Sequence, residues 1–532
     1  MQQHAFDYRR SPDQDAAAPA RHPVVVVGAG PVGLSLAIDL ALRGRDRGQR
    51  VLLLDNDHRL STGSRAICFA KRTLEIWDRL GVGDAMCAKG VGWSVGKVYF
   101  GPDLLYRFDL LPEPGHERPA FINLQQFYAE AWLVLRAQQL PNLEIRWRHA
   151  VAACEPHEDF VRLGIDTPEG RYTVDADWVA ACDGSRSPLR GLLGLETKGR
   201  VFRDRFLIAD VTMAADFPAE RWFWFDPPFH PNQSVLLHRQ PDGQWRVDFQ
   251  LGWDADPEVE KQPERIRPRV AALLRSALGR EVPFELGWAS VYTFACQRMD
   301  RFVHGRVVFA GDAAHGVSPF GARGANSGVQ DADNLAWKLD LVLRGQAPRA
   351  LLDSYGPERE FAADENILNS TRATDFITPK SAVSRLFRDA TLDLARRFPF
   401  ARRIVNSGRL SVPAVRHDSP LNTPDADRFE GGPPPGAPAV DAPLEGGGWL
   451  LRRLGGHGFK ALVFGGDAAA VRAADMPLEV IALPAEGLAA QRYDARAGTV
   501  YLLRPDQHVC ARWRAPQAAD VAAALKRALQ WP

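Results

Sequence analysis

No stretch of the 532-residue chain approaches the ~18 consecutive apolar residues that a membrane span requires. Cysteine is sparse and scattered. Cys68, Cys87, Cys154, Cys182, Cys296 and Cys510 form no C-x-x-C pair and show no histidine spacing typical of a zinc site. That pattern offers no metal centre and no disulfide framework, so reduced, mostly buried thiols of a cytoplasmic protein are expected. An excess of charge of one sign is also missing. Lys plus Arg number 66 and Asp plus Glu 65, a net charge of +1, which gives no bulk attraction to nucleic acid or to an anionic membrane. No repeat of fixed period appears. Residues 1–22 contain no apolar core of a signal peptide and are expected to be a disordered polar leader. What remains is ordinary globular usage, 45% hydrophobic and 25% charged, in a chain long enough for about three domains at ~150 residues each.

Order is expected from Pro23. Residues 24–27, all valine, read as a strand buried on both faces. GAGPVG follows, then apolar residues at helical spacing (Leu34, Ala37, Ile38, Ala41) up to Gly44. A second buried strand, 51–54, ends in Asp55 and completes a β-α-β unit. Residues 65–80 and 119–140 carry helical patterns, and 160–182 reads as a meander that returns to the first sheet. Between 200 and 295, RFLIADVTM, RWFWF, SVLLHRQPDGQWRVDFQLGW and ELGWASVYTF alternate like strands, with QPDGQ as a hairpin signal. Residues 306–310 form another buried strand, and helices are expected from 326 to 343 and from 348 to 410. GGPPPGAPAVDAP reads as a stiff linker before a small α/β unit.

Three motifs carry chemistry. In GAGPVG, Gly28 permits the tight turn, Gly30 lets a pyrophosphate approach the backbone, and Gly33 allows close helix–strand packing. Asp55, 22 residues after Gly33, stands where a carboxylate accepts hydrogen bonds from ribose hydroxyls. The motif alone does not separate FAD from NAD. CDGSRS, residues 182–187, contains Asp183 and Gly184; read alone, Asp183 is equally a turn aspartate. GDAAHGVSPFGARGAN, residues 311–326, sets Asp312 at a strand end before a Gly-rich helix start. Asp312 can bind a polyol or cap a helix, and the N–H groups of Gly324, Ala325 and Asn326 can face an anionic or electron-rich ring edge.

In this order the three motifs resemble the fingerprints of the single-component FAD-dependent aromatic hydroxylases, the branch of phenol hydroxylase and 3-(3-hydroxyphenyl)propionate hydroxylase, over roughly residues 23–410. The resemblance implies an α/β fold: a Rossmann-like FAD-binding domain (23–200 and 299–410), an inserted antiparallel-sheet substrate domain (201–298), a linker (411–443) and a thioredoxin-like C-terminal domain (444–532). That tail lacks C-x-x-C, so its role would be structural or in homodimer contacts. Carried over by motif, Gly28, Gly30, Gly33 and Asp55 would hold the ADP half of FAD. Arg65 would lie near the pyrophosphate, Gln126 (with Gln125 an equal-looking neighbour) near the flavin, and Asp312 at the ribitol. Asp183 and Gly184 belong to the fingerprint linked with FAD and NAD(P)H.

The activity implied is hydroxylation of a phenolic or polycyclic aromatic substrate. FAD is reduced by NADH or NADPH, visiting transiently, and then reacts with O2 through a C4a-hydroperoxide; the cofactor carries the hard chemistry and the protein supplies orientation and dryness. Pro319 would lie near the oxygen-reacting edge. Trp222, Phe223, Trp224, Phe225, Trp245 and Trp288 would roof the substrate or fill a core. Tyr292 would meet the substrate hydroxyl, whose deprotonation raises ring electron density. Its usual aspartate companion falls near Ile67, which cannot ionise. His238 and His315 are alternative bases or structural histidines, and Arg203, Arg205 and Arg221 are solvated arginines by default, any of which could bind a substrate carboxylate. Two other readings stand beside this one, a flavin-binding sequestering protein and another flavin oxidoreductase. A halogenase is disfavoured because WFWFD does not match W-x-W-x-I-P.

Overall fold

A strand buried on both faces must be apolar along its length, and Val24, Val25, Val26 and Val27 meet that condition at the centre of a parallel sheet. The computed structural model describes residues 5–61, 66–215, 217–405, 410–469, 471–472 and 477–531. Strands Leu143–Trp147, Val51–Asp55, Ala20–Val27, Gly170–Ala181 and Val307–Phe309 lie side by side in that order, all parallel. Helices Pro31–Gly44, Gln126–Gln138 and Gly324–Leu343 bury apolar side chains against it. Val27 pairs with Leu54 on one side and with Ala181 on the other, and Ala181 pairs with Phe309.

Several expectations need correction. Residues 5–22 are not a disordered leader. Phe6 stacks on Trp147 with centroids 4.2 Å apart, and Tyr8 stacks on His149. Asp13 meets both His22 (2.8 Å) and Arg146 (2.7 Å), and the strand starts at Ala20. The helical pattern at 65–80 is a short strand, Cys68–Ala70, followed by helix Lys71–Leu80. The one at 119–140 is strand Phe121–Asn123 followed by helix Gln126–Gln138. In each case an apolar run too short to separate helix from strand is decided by pairing, since Cys68–Ala70 and Phe121–Asn123 hydrogen-bond to each other. Arg65 lies outside the described residues.

The region from 200 to 295 forms a sheet in the order Phe284–Tyr292, Arg205–Met213, Gln244–Leu251, Ser234–Arg239, Arg221–Phe225, joined by Val95–Phe100 and Asp103–Asp109 from earlier in the chain. QPDGQ makes the expected hairpin turn, with Asp242 and Gly243 both at positive φ. One face packs on helix Pro263–Leu278 through Leu207, Val235, Val247 and Phe249. A smaller sheet at the C-terminus orders Leu478–Leu483, Phe459–Phe464, Thr499–Leu503 and Val509–Trp513, the first pair parallel and the rest antiparallel. The Pro-rich stretch before it is no free spacer. Gly436, Ala437 and Ala439 exchange backbone hydrogen bonds with Gln507 and Val509.

The C-terminal sheet is locked to the rest by buried charge. Glu358 accepts from Lys338 Nζ (2.7 Å), Arg504 Nη1 (2.7 Å), Asn334 Nδ2 (2.8 Å) and Ser419 Oγ (2.5 Å). Arg504 also forks onto Asp506. Burial alone would raise the Glu358 pKa, but the Arg504 and Lys338 charges outweigh it and hold the carboxyl well below its usual range. A depressed carboxylate pKa gives stability that is present above the unfolded value and lost as pH falls through the folded one. Glu358→Gln should therefore cost about 3–5 kcal/mol in denaturant unfolding at pH 7, and the gap between parent and variant should narrow as pH falls below about 4.5.

Candidate active site

Parallel strands deliver their C-terminal ends to one edge of a sheet, about 4.8 Å apart. Because Val27, Ala181 and Phe309 are register partners, the loops beginning at Gly28, Cys182 and Ala310 leave that edge as neighbours. Gly28 has φ +104°, and a Cβ there would lie 2.4 Å from the Cys182 carbonyl oxygen and 3.0 Å from Asp183 Cα. A Cβ on Gly33 would lie 1.9 Å from the Gly28 oxygen. Gly311 packs on Val32 of the first motif. The three motifs thus form one surface.

Its chemistry suits a dinucleotide. Helix Pro31–Gly44 begins at Gly30 and helix Gly324–Leu343 at Arg323, neither with a side chain capping its first turn. Two N-termini with free N–H groups and positive dipole ends therefore face the same edge. Asp55 Oδ2 accepts from the Ala29 amide (2.5 Å) and Oδ1 from the Asp57 amide (2.7 Å). Burial raises its pKa, and the two backbone bonds oppose the rise. Asp183 Oδ2 accepts from the Leu189 amide (3.0 Å), while its Oδ1 is buried with no partner among the described residues. Gly184 has φ +80°. Two uncapped helix starts beside a glycine cradle fit the pyrophosphate of FAD, and the unpartnered carboxylate oxygen fits the hydroxyls of its polyol.

Asp312 is exposed on a one-turn helix, near enough that a Cβ on Gly324 would lie 3.9 Å from its Oδ1. Gly324, Ala325 and Asn326 are the first residues of their helix. The Asn326 side chain is fully engaged. It accepts from the Ala70 amide and the Thr73 hydroxyl and donates to the Cys68 and Ala322 carbonyls. That leaves its backbone N–H as the group it could offer a ligand. Gln126 and Gln125 separate cleanly. Gln126 accepts from the Ala66 amide and donates to Ser61 Oγ and Glu130 Oε1. Gln125 donates to Gln244 of the second sheet.

Strand alternation sorts the second sheet. Trp222, Trp224 and Trp245 point to the helix-covered core. The opposite face presents three cross-strand rows: Arg221, His238, Arg246, Asp210 and Trp288; then Phe223, Leu236, Asp248, Ile208 and Ser290; then Phe225, Ser234, Gln250, Phe206 and Tyr292. Phe320 of the third motif meets Phe206, the partner of Tyr292, at 4.8 Å. A cavity of about 580 Å3 opens there, lined by Phe108, Phe223, Phe225, Phe320 and Phe376 and by Arg221 and Arg323. Pro319 is exposed beside Phe320. Pro319, Phe320, Gly321 and Ala322 turn sharply into the helix, with Gly321 and Ala322 both left-handed (φ +109° and +52°).

His238 is buried on the inward face with Nδ1 unpartnered, and burial followed by the Arg221 and Arg246 charges pushes its pKa well below the usual value. His315 is not at the cavity: it is buried against Asp331 (2.7 Å), which also binds Arg359 and the Gly311 amide. Of the three arginines, Arg203 is exposed and Arg205 donates to the Ala255 carbonyl; only Arg221 lines the cavity. Ile67 is buried under Trp93 and Phe121. Sequence reading missed the cavity wall supplied by helices Tyr355–Ile377 and Ala382–Arg397. No motif marks it, and only the topology brings it there. At Gly28, Ala is expected to cost about 2–4 kcal/mol through strain and clash and to abolish yellow colour on purification; a folded yellow variant would refute the cradle.

Comparison with known proteins agrees with this geometry. Residues 21–370 match the family model described as an FAD binding domain. The chain is 32% identical over 538 residues to 6-methylpretetramide 4-monooxygenase of Streptomyces rimosus, covering 94% of this chain and 93% of that one. It is 28% identical over 552 residues to 3-(3-hydroxy-phenyl)propionate/3-hydroxycinnamic acid hydroxylase of Mycolicibacterium smegmatis, covering 96% and 93%. Among solved structures it is similar to the flavin-dependent monooxygenase PieE in complex with FAD and substrate, with TM-score 0.81, 24% identity, and 97% and 100% of the two chains covered.

Proposed function

The chain belongs to the FAD-binding-domain family of single-component aromatic hydroxylases, and from that premise we propose how its residues carry out hydroxylation of a phenolic or polycyclic aromatic substrate with NAD(P)H and O2. The protein is an FAD-dependent aromatic monooxygenase. The observation that carries the residue assignments is the meeting of three glycine-rich loops at one sheet edge, beside a Phe-lined cavity.

Gly28, Gly30, Gly33 and Asp55 hold the adenosine diphosphate half of FAD, with the first helix N-terminus toward the pyrophosphate. Asp312 would hold the ribitol, and Asp183 and Gly184, of the fingerprint linked with FAD and NAD(P)H, would border the nucleotide beside it. The N–H groups of Gly324, Ala325 and Asn326, which open their helix, would meet the ring's electron-rich edge, with Pro319 nearby. Arg65 is assigned to the pyrophosphate by its motif alone. When bound, FAD would supply the redox chemistry, accepting reducing equivalents from NADH or NADPH and activating O2. The protein's own part is to orient and to exclude water. The flat aromatic walls suit fused rings, and a cavity of about 580 Å3 has room for several. The names of the two relatives, one for a pretetramide and one for hydroxyphenyl acids, bracket that range.

Tyr292 is not on the cavity wall but lies in the cross-strand row that meets the third motif through Phe206, and it would hold or accept the proton of a substrate hydroxyl that reaches past that wall. His238, kept neutral, is a secondary acceptor behind Arg221. The C-terminal unit reads as thioredoxin-like from its strand order and its helix Ala518–Ala528. It has no dithiol, and Cys510, its thiol pushed up to about 12 by burial, is inert. Its work is structural.

Purified yellow protein should consume NAD(P)H and O2 faster when supplied with phenols or hydroxylated polycycles, and mass spectrometry should find one added oxygen. Lack of stimulation across a broad panel would return the flavin-sequestering reading. Tyr292→Phe should keep NAD(P)H oxidation but lose most product to H2O2, read as the ratio of product to cofactor consumed; an unchanged ratio removes Tyr292 from the chemistry. Asp312→Ala should purify largely colourless, and full flavin retention would refute its place at the ribitol.

A further inference from the structure

Among the described residues the Arg221 guanidinium is a buried cation without a partner. Arg221 opens strand Arg221–Phe225 and is 8% exposed, and its side chain makes no hydrogen bond or ion pair with any described residue. Its neighbours explain why. In its row, Arg246 takes the carboxylate of Asp210 with both fork nitrogens at 2.8 Å. Gly96, opposite on the other side, brings no side chain. Asp248, one row away, feels the Arg221 charge but forms no ion pair with it. His238, directly opposite, leaves Nδ1 unpartnered and stands 3.7 Å from Asp248 Oδ2. Desolvation weakens the hold of the Arg221 guanidinium on its proton. A guanidinium left so is costly unless something else brings the negative charge.

That something enters through the cavity, because Arg221 is on its wall. The cavity is also skewed in charge. Among the described residues, Arg221, Arg372 and Arg403 line it, with Arg323 already engaged by Asn366, against a single acid, Asp375, which accepts from Arg200 at 2.9 Å. Arg372 and Arg403 are exposed at the mouth, while Arg221 is at the buried end. An anion is thus attracted at the entrance and met by a planar fork of donors inside.

We propose that the cavity selects an aromatic substrate carrying an anionic oxygen, a ring carboxylate or an ionised ring enol, which Arg221 binds at the inner end. The assignment rests on the hydroxylase reading and narrows it from aromatic compounds in general to acidic ones. Arg221 is a specificity-determining residue that fixes which edge of the ring system points inward. A neutral polycycle fills the same aromatic walls but leaves the guanidinium unpaired, and so binds more weakly.

The test uses the FAD-loaded enzyme without turnover. Calorimetry measures binding of 3-hydroxy-2-naphthoate (carboxylate), 2-hydroxy-1,4-naphthoquinone (ionised enol) and 2-naphthol (neutral) to the parent, Arg221→Met and Arg221→Lys. At least one anion should bind the parent roughly 10–100-fold more tightly than 2-naphthol, as expected for a charged hydrogen-bonded contact. Arg221→Met should erase that preference while leaving 2-naphthol affinity within about twofold, and Arg221→Lys should restore part of it. Which anion shows the preference identifies the source of the charge. If methionine prevents flavin retention, Arg221→Gln replaces it. Equal affinity for all three ligands, failure of both anions to bind, or an anion preference that survives Arg221→Met overturns the proposal. These outcomes are distinct from failure of the monooxygenase reading, which shows instead as holoenzyme that consumes no NAD(P)H with any aromatic compound.

Discussion

Backbone hydrogen bonds between the ends of three parallel strands hold Val27 beside Ala181 and Ala181 beside Phe309, and the candidate site follows from that register. The three segments lie more than a hundred residues apart in the chain, yet each turns into its loop at the same edge. A slip of one residue in any pairing would exchange inward and outward side chains and carry a glycine away from its contact. The close approach of Gly28 to the Cys182 carbonyl leaves no room for such a slip. Packing and pairing therefore enforce each other, and the cradle is rigid before any ligand arrives.

The second sheet works by division of faces. One side is a dry core against helix Pro263–Leu278. The other mixes phenylalanines with Asp210, Arg246, Asp248, His238 and Arg221, most of them buried. Buried charge is tolerated where partners are complete, as between Arg246 and Asp210. Where they are not, as at Arg221, the sheet carries an unmet electrostatic demand that a core would not retain by accident. Asn123, which donates to the Arg239 carbonyl, and Tyr128, which donates to Asp242, tie this sheet to the nucleotide-binding part.

Much of this was legible beforehand because glycine spacing reports backbone geometry directly. GAGPVG after four valines is a strand, a turn and a helix, and the later motifs share that grammar. The segments from 65 to 80 and from 119 to 140 were misread because three-residue strands have no periodicity to display and exist only through each other. The N-terminal segment looked disordered from its polarity, but two aromatic residues, Phe6 and Tyr8, suffice to anchor it. In RWFWF a period of two was present, and it divides Arg221, Phe223 and Phe225 from Trp222 and Trp224. Composition alone treats these aromatics as one group. The helices that close the cavity carry no signature, since their contribution is position.

Helix Tyr355–Ile377 has 23 residues, which at 1.5 Å per residue makes a rod of roughly 34 Å. Near its start, Glu358 is gripped by Arg504 from the C-terminal sheet; toward its end, Asn369, Phe376 and Ile377 face the cavity. The appended tail thus acts as an anchor block for a lever whose far tip shapes the binding chamber. One rod therefore carries both a buried ion pair to the tail and part of the chamber wall, so the two share a single rigid element.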